Sequence, residues 1–196
     1  IKMDNQLNNM IWSSFLGGRG VDAIYSLALD DDDNIYVTGG TTSDDFPTST
    51  NALHPNYLDS LNADGFVSYI SKDGTQIISS TYFGSDEYDQ SYFVELDGAK
   101  NVYLFGQTKA TGNTLIYQAN YNVPGGGEFI SKLSPNLDAL LQSTVVGANT
   151  GKPNISPTAF LVDVCNKIYI SGWGSNIGIG NAGTTFNLQT TPNAFQ

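Results

Sequence analysis

Short apolar alternations, separated by joints rich in Asp and Gly, dominate this chain. Residues 23–29, 34–40, 65–71 and 76–83 read as four strands with buried faces, each bounded by turn residues. The first joint belongs to the stretch DDDDNIYVTGG, Asp30 to Gly40, where four aspartates run straight into a strand. The joint between the third and fourth strands is Lys72-Asp-Gly-Thr75. Both have hairpin-turn chemistry, because Asp and Gly accept the backbone angles that tight turns need. No long stretch carries a helical period.

The same text returns. Asn34-Ile-Tyr-Val-Thr-Gly39 aligns with Asn101-Val-Tyr-Leu-Phe-Gly106 and Lys167-Ile-Tyr-Ile-Ser-Gly172, with tyrosines at 36, 103 and 169. Ser13-Ser-Phe-Leu-Gly17 aligns with Ser80-Thr-Tyr-Phe-Gly84 and Ser143-Thr-Val-Val-Gly147. Gly65-Phe-Val-Ser-Tyr-Ile70 aligns with Glu128-Phe-Ile-Ser-Lys-Leu133. Three motifs in one order at one period predict a repeat architecture. Four short antiparallel strands per unit, with a Gly/aromatic signature, predict an all-β protein made of β-propeller blades.

Composition agrees with this and narrows the partners. Of 196 residues, 40% are apolar, which suffices for one domain with a real core. Gly accounts for 21 residues, Tyr for 11 and Phe for 10, a usage that favours strands and turns. A net charge of -11 argues against a nucleic-acid partner, which would need a basic stripe. The single cysteine, Cys165, excludes an internal disulfide framework. No apolar run is long enough for a membrane helix, and IKMDNQLNN lacks the apolar core of a signal peptide, so an export signal is expected outside this text.

The acidic joint at 30–33 invites a calcium reading, with Asp31 and Asp33 as the candidate ligands. The equivalent joints are Asp97-Gly-Ala-Lys100 and about Val164-Cys-Asn166, so the acidity falls from four residues to one to none. The reading from sequence is therefore a turn, with no chemistry shared by all units. The expectation is no cofactor, with calcium at Asp31 and Asp33 as the alternative.

The order of these motifs resembles the SBBP repeat of bacterial β-propellers. The carriers are Ser13-Ser-Phe-Leu-Gly-Gly18, Asn34-Ile-Tyr-Val-Thr-Gly39, Asp45-Phe-Pro-Thr48 and Asp64-Gly-Phe-Val67. The closing Thr191-Pro-Asn-Ala-Phe-Gln196 is similar to Phe46-Pro through Asn51-Ala-Leu53. The second unit departs by replacing the D-F-P-T segment with residues 113–122, and the third by Lys167 in place of the Asn. The third unit's Val-Cys-Asn-Lys-Ile-Tyr-Ile-Ser-Gly-Trp-Gly also resembles large surface proteins of gliding, Bacteroidetes-type bacteria. The resemblance implies export, by the type IX route in such a source, with the sorting signal outside this text.

Lys2 to Trp12 aligns with Lys132 to Gln142, the end of a third strand, a turn and a fourth strand. The division expected is therefore 1–16 as the end of a preceding blade, 17–83 and 84–146 as blades, and 147–196 as a partial blade. Two readings stand: the half-blades close on one another to give three blades, or the text is a piece of a larger ring. The second is preferred, because closed propellers have roughly four to eight blades and open edges are a liability.

Blade topology puts the tight turns on one face and the long insertions, 41–64, 107–127 and 173–196, on the other, with 85–90 and 148–157 between blades. Binding is expected on the insertion face. Tyr57, Tyr88, Tyr117, Tyr121 and Trp173 offer flat rings there, and Asp44, Asp45, Asp86, Glu87 and Asp89 offer acceptors, a combination suited to sugars or to a cationic protein patch. Against each stands a plainer role: loop aromatics seal their own insertions, and acids form a solvated rim.

Catalytic signatures are thin. His54 is the single histidine and lies in an insertion, while Cys165 lies in a tight turn, so neither a triad nor a zinc set can be assembled from them. Gly125-Gly-Gly127 lacks the Lys and helix of a phosphate loop. The expectation is a non-catalytic scaffold or adhesion module of a large exported or cell-surface bacterial protein. Its partners would be a protein or glycan ligand, other blades of the same protein, and secretion machinery. The alternative is a glycan-active propeller enzyme using loop carboxylates.

Overall fold

The computed structural model describes residues 1–59, 61–174, 184–185 and 187–194. Among them are twelve strands and no helix: β1 (Lys2–Met3), β2 (Met10–Trp12), β3 (Asp22–Leu29), β4 (Ile35–Thr41), β5 (Asp64–Ile70), β6 (Ile77–Phe83), β7 (Asp89–Leu96), β8 (Val102–Thr108), β9 (Glu128–Leu133), β10 (Leu140–Val146), β11 (Ser156–Val162) and β12 (Ile168–Trp173). They form two four-stranded antiparallel sheets, β3-β4-β5-β6 and β7-β8-β9-β10. Two two-stranded sheets, β1-β2 and β11-β12, accompany them. The first blade's strands lie within one residue of the sequence-based bounds.

Alternation decides which side chains meet. Tyr36 and Val67, on one face of the first blade, pack with Phe83 against Val94, Val102, Leu104, Phe129 and Leu133 of the second. The second blade's opposite face presents Tyr103 and Phe105 to Phe160 and Val162 of β11. Each blade thus has a front that takes its predecessor and a back that takes its successor. The tyrosine of the N-x-Y motif is a back-face residue: Tyr36 stacks on its cross-strand partner Tyr69 at 4.2 Å, and its hydroxyl donates to the Pro135 carbonyl in the next blade at 2.9 Å.

The recurrent joint is a turn, and its working carboxylate is the first residue. Asp30 Oδ1 accepts from the backbone N–H of Asp32 and Asn34, both at 2.9 Å, and its Oδ2 accepts from Tyr69 Oη at 2.6 Å. Asp97 repeats the pattern with Ala99 and Asn101, and Asp163 with Cys165 and Lys167. A left-handed residue follows at Asp33, Lys100 and Asn166, with φ of 65°, 62° and 59°. This corrects the expectation that the third joint is uncharged: Asp163 stands one residue before the stretch read as the turn, so a shared carboxylate exists and its job is structural. Asp31 and Asp33 are exposed and lie outside this set of bonds. Asp30→Ala is expected to cost about 1–3 kcal/mol by stranding two N–H groups and a hydroxyl, while Asp31→Asn stays within about 0.5 kcal/mol. Urea unfolding of both variants, with and without added calcium, checks this; a calcium-dependent midpoint lost in Asp31→Asn would show a metal role instead.

The insertions do something the sequence did not announce: they run along the outer edges of the blades. Ser49 N–H donates to the Ser80 carbonyl, and Tyr82 N–H donates to the His54 carbonyl, so residues 49–54 cover β6. Tyr117 and Ser143 exchange backbone bonds at 2.8 Å, and Val123 N–H donates to the Val145 carbonyl, so residues 115–123 cover β10. An uncovered edge strand would template pairing with other chains, and these segments prevent it. The motif serine belongs to the same device. Ser80 pairs with Ser68, and Ser143 with Ser131, each at 2.7 Å in the buried interior, and Ser143 Oγ also bonds the Leu115 carbonyl.

Candidate functional site

The innermost strands carry a bulge at one repeated position. Register shifts between Ile24 and Ser26, Ser91 and Phe93, and Pro157 and Ala159, making Tyr25, Tyr92 and Thr158 equivalent bulge residues. A bulge leaves one residue unpaired and re-aims its side chain. Tyr25 and Tyr92 stack across the blade junction at 4.9 Å, and Tyr25 remains 43% exposed. Gln90 ties them together, its Oε1 accepting from Tyr92 Oη at 2.8 Å and from Tyr25 Oη at 3.3 Å. Burial and the neighbouring Tyr92 ring push the Tyr25 phenol up from its usual value, so it remains a donor at neutral pH.

Beside this pair runs the loop 85–88, which begins the second blade. Tyr88 is half-buried, with Lys109 Nζ 5.1 Å from its ring centre. Burial, with Tyr92 next, raises its pKa strongly. Asp86 and Glu87 are exposed in the same loop. The cluster therefore joins two stacked phenols, an amide, a cation over a third ring and two free carboxylates, at the insertion-side end of the inner strands.

The other candidates scatter. Asp89 is fully buried and accepts from Ser85 N and Oγ at 2.6 and 2.7 Å, so it closes its own loop instead of facing a ligand. Asp45 binds the Arg19 N–H at 2.8 Å and its guanidinium at 3.3 Å, pinning the segment that leads into the first blade. Asp44 is exposed without such ties. Tyr57 packs edge-on to Tyr82 at 5.5 Å and donates to the Asn62 carbonyl, sealing the first insertion. Burial, then the charge of Asp64, pushes its pKa up to about 12. Tyr117 and Tyr121 are exposed on the outer edge of the second blade, and Trp173 is exposed at the end of β12. They do not meet the inner cluster. The part of the third insertion at 175–183, 186 and 195–196 lies outside the described residues.

His54 and Cys165 are not brought into one site. His54 lies half-buried along β6, its N–H donating to Thr81 Oγ1 at 2.8 Å, and burial lowers its pKa. Cys165 is exposed in the turn between β11 and β12. Among the described residues no group of three or more His, Cys, Asp or Glu side chains forms a set that could hold a metal ion. Gly126 fits against the Val146 carbonyl, where a Cβ would come within 2.2 Å. Close backbone approach explains the glycine run.

Four-stranded antiparallel blades, stacked front to back with their bulged first strands side by side, define this as a β-propeller repeat protein. The family model of SBBP, a beta-propeller repeat, matches residues 11–47, and the chain carries that repeat. The matched stretch holds the Ser13–Gly18, Asn34–Gly39 and Asp45-Phe-Pro segments. Comparison with curated proteins gives no match.

Proposed function

We propose that this chain is a non-catalytic propeller scaffold of a large exported or cell-surface bacterial protein, and that it binds a glycan at the insertion-side end of its inner strands. The observation that carries the reading is the stacked, partly exposed Tyr25–Tyr92 pair created by the repeated bulge. A pyranose lays its apolar face on such a ring, while Gln90 and the loop acids Asp86 and Glu87 supply acceptors for its hydroxyls. Of the carboxylates with raised pKa values among the described residues, Asp64, Asp89 and Glu128 are sealed inside, which leaves the half-buried Glu95 alone and short of the pair that acid–base chemistry needs. The acidic net charge keeps nucleic acid out of the list of partners.

The test is binding of the purified chain to a polysaccharide panel, with Tyr25→Ala beside it. Loss of one aromatic anchor is expected to weaken binding by about 2 kcal/mol, roughly thirtyfold, without release of reducing ends by either protein. Binding unchanged in Tyr25→Ala removes this site. Hydrolysis of any polysaccharide overturns the non-catalytic reading. Protease treatment of intact source cells tests exposure, since a surface protein is digested while cytoplasmic markers survive.

A further inference from the structure

A polar cleft of about 360 Å³ lies at the outer edge of the junction between the two whole blades. One wall is the Ser49–Ala52 turn of the first insertion, and the other is the turn between β9 and β10. Ile78 and Ser79 of β6 lie between them. The cleft shares no residue with the Tyr25–Tyr92 cluster.

Both walls are held in place by the fold. Ser80 N–H donates to Ser49 Oγ at 2.9 Å, and Ala52 N–H closes its turn on the Ser49 carbonyl at 3.1 Å. Leu53 N–H reaches across the junction to the Leu137 carbonyl at 2.9 Å. From the other direction Ser79 Oγ donates to the Asn136 carbonyl, and Ser134 Oγ holds Asp138 Oδ1 at 2.6 Å. A ligand here finds the site already formed, which removes the ordering cost that weakens binding to loose loops.

The lining has hydrogen-bonding capacity that the fold leaves unused. Thr50, Asn51 and Asn136 are exposed, and among the described residues their side chains bond to no other group. Asp138 spends Oδ1 on Ser134 and keeps Oδ2 free. The backbone does not call for these residues: neither Thr50 nor Asn51 is left-handed, and a turn of that kind accepts most side chains. A hydroxyl, two amides and a carboxylate oxygen thus present donors and acceptors together. Ile78, 47% exposed, adds an aliphatic surface beside them.

Charge and shape select the ligand. Among the described residues of the lining Asp138 is the one charged side chain, so a phosphate, sulfate or uronate would meet a carboxylate with no cation beside it. No aromatic ring lines the cleft, which leaves a nucleobase nothing to stack on. A single carboxylate is a poor hold for a hard cation. What fits is small, uncharged and rich in hydroxyls. We propose that this cleft is a subsite for a neutral hexose of a glycan. Asp138 and Asn136 take adjacent hydroxyls from one wall, Thr50 and Asn51 take others from the opposite wall, and Ile78 meets the C–H face of the ring.

Amide chemical shifts of the isotopically labelled chain, titrated with the methyl glycosides of glucose, mannose and galactose, test this. Saturable shifts at residues 49–51, 79 and 136–138 with at least one of these sugars are expected, and no shift there with any of them overturns the proposal. Asn51→Ala and Asn136→Ala remove amides that bond to nothing in the protein, so their urea midpoints should match the parent's. Each should weaken binding roughly fivefold, the worth of one hydrogen bond; an affinity unchanged in both overturns the assignment. Methyl glucuronoside is the charged control, and binding as tight as that of the glucoside overturns the argument from charge. Calcium chloride alone should leave these amides in place; the same shifts with calcium would give the cleft to a cation and overturn the sugar. Tyr25→Ala should leave the cleft's shifts intact whatever it does at the inner strands. Their loss in that variant would make them a secondary effect of the inner site and overturn a separate one.

Discussion

Gly106→Ala is expected to be among the most damaging conservative changes in the chain, at about 4 kcal/mol or more. A Cβ at this position would sit 2.1 Å from the Gln90 carbonyl oxygen and 2.5 Å from the Phe129 ring. Both obstacles are fixed. The carbonyl belongs to the bulged inner strand, and the ring belongs to the cross-strand partner of Gly106, fully buried at the junction with the first blade. The glycine is needed because the bulge at Tyr92 brings the neighbouring backbone close while Phe129 lies across the gap. Moving either would disturb the interface that also holds Phe83 and Leu104. Gly39 repeats the arrangement, with the Ala23 carbonyl and Phe66 as obstacles, and should respond alike. Gly98 is the control: nothing lies within 4 Å of its Cβ position, so Gly98→Ala should stay within about 0.5 kcal/mol. Urea midpoints of the three variants make the comparison. Equal, small losses at all three would mean that the inner strands shift freely, and the fixed-bulge account would fail.

The glycine that ends each N-x-Y strand illustrates what the sequence did and did not make legible. Its recurrence at 39, 106 and 172 is visible as text, and with the tyrosines it was enough to read blades and four strands apiece. Its cause at 39 and 106, the bulge one strand inward, was hidden, because a single extra residue leaves no mark on a short alternation; at 172 the close neighbour is the Ile155 side chain. The inner tyrosine cluster was hidden for the same reason. Tyr25 and Tyr92 sit inside strands and read as ordinary strand aromatics, whereas the loop residues Tyr57 and Asp89 looked available and turn out to be engaged internally. Long insertions suggested a loop-built face. Instead their middles serve as edge covers, a role set by hydrogen bonds between backbone groups and therefore independent of side-chain pattern. Asp163 was missed by one residue, since a turn read from its Cys-Asn centre omits the carboxylate that opens it. Of the candidates named from sequence, Tyr88, Asp86 and Glu87 do fall at the inner cluster, because the loop between blades has nowhere else to lie.

Stability is expected to fall as pH rises from about 5 to about 8, and Asp64→Asn to remove a large part of that fall. Burial pushes Asp64 up to about 7, more than the N–H groups of Leu58 and Asp59 pull it down, and the charges of Asp89 and Asp59 push the same way. Burial likewise takes Glu128 up to about 7 against the N–H groups of Ile155 and Asn154, and Asp89 up to about 6 against its bonds with Thr108 and Ser85. Among the described residues, Asp64 and Asp89 each keep one buried oxygen without a hydrogen-bond partner, which leaves their charged forms under-solvated. In all three the folded pKa exceeds the unfolded one, so the native state holds protons that the unfolded chain has released. Their contribution is complete below the unfolded carboxylate range and is lost as pH climbs through 6 to 7. Asp97 works the other way. Burial raises it, but Lys132, the Asn101 side chain and two backbone N–H groups outweigh that and hold it at about 2, so its stabilisation is lost only in strong acid. The two limbs leave a maximum between them, on the acidic side of neutrality. Across the three raised groups the loss should be on the order of a few kcal/mol, and the net charge of -11 adds self-repulsion in the same direction. Asp64→Asn keeps an acceptor for the Leu58 N–H and carries no charge, so its urea midpoint should change less between the two pH values and exceed the parent's at the higher one. A flat profile in the parent chain would mean that the three carboxyls titrate normally, with water or a cation reaching the oxygens that lack partners.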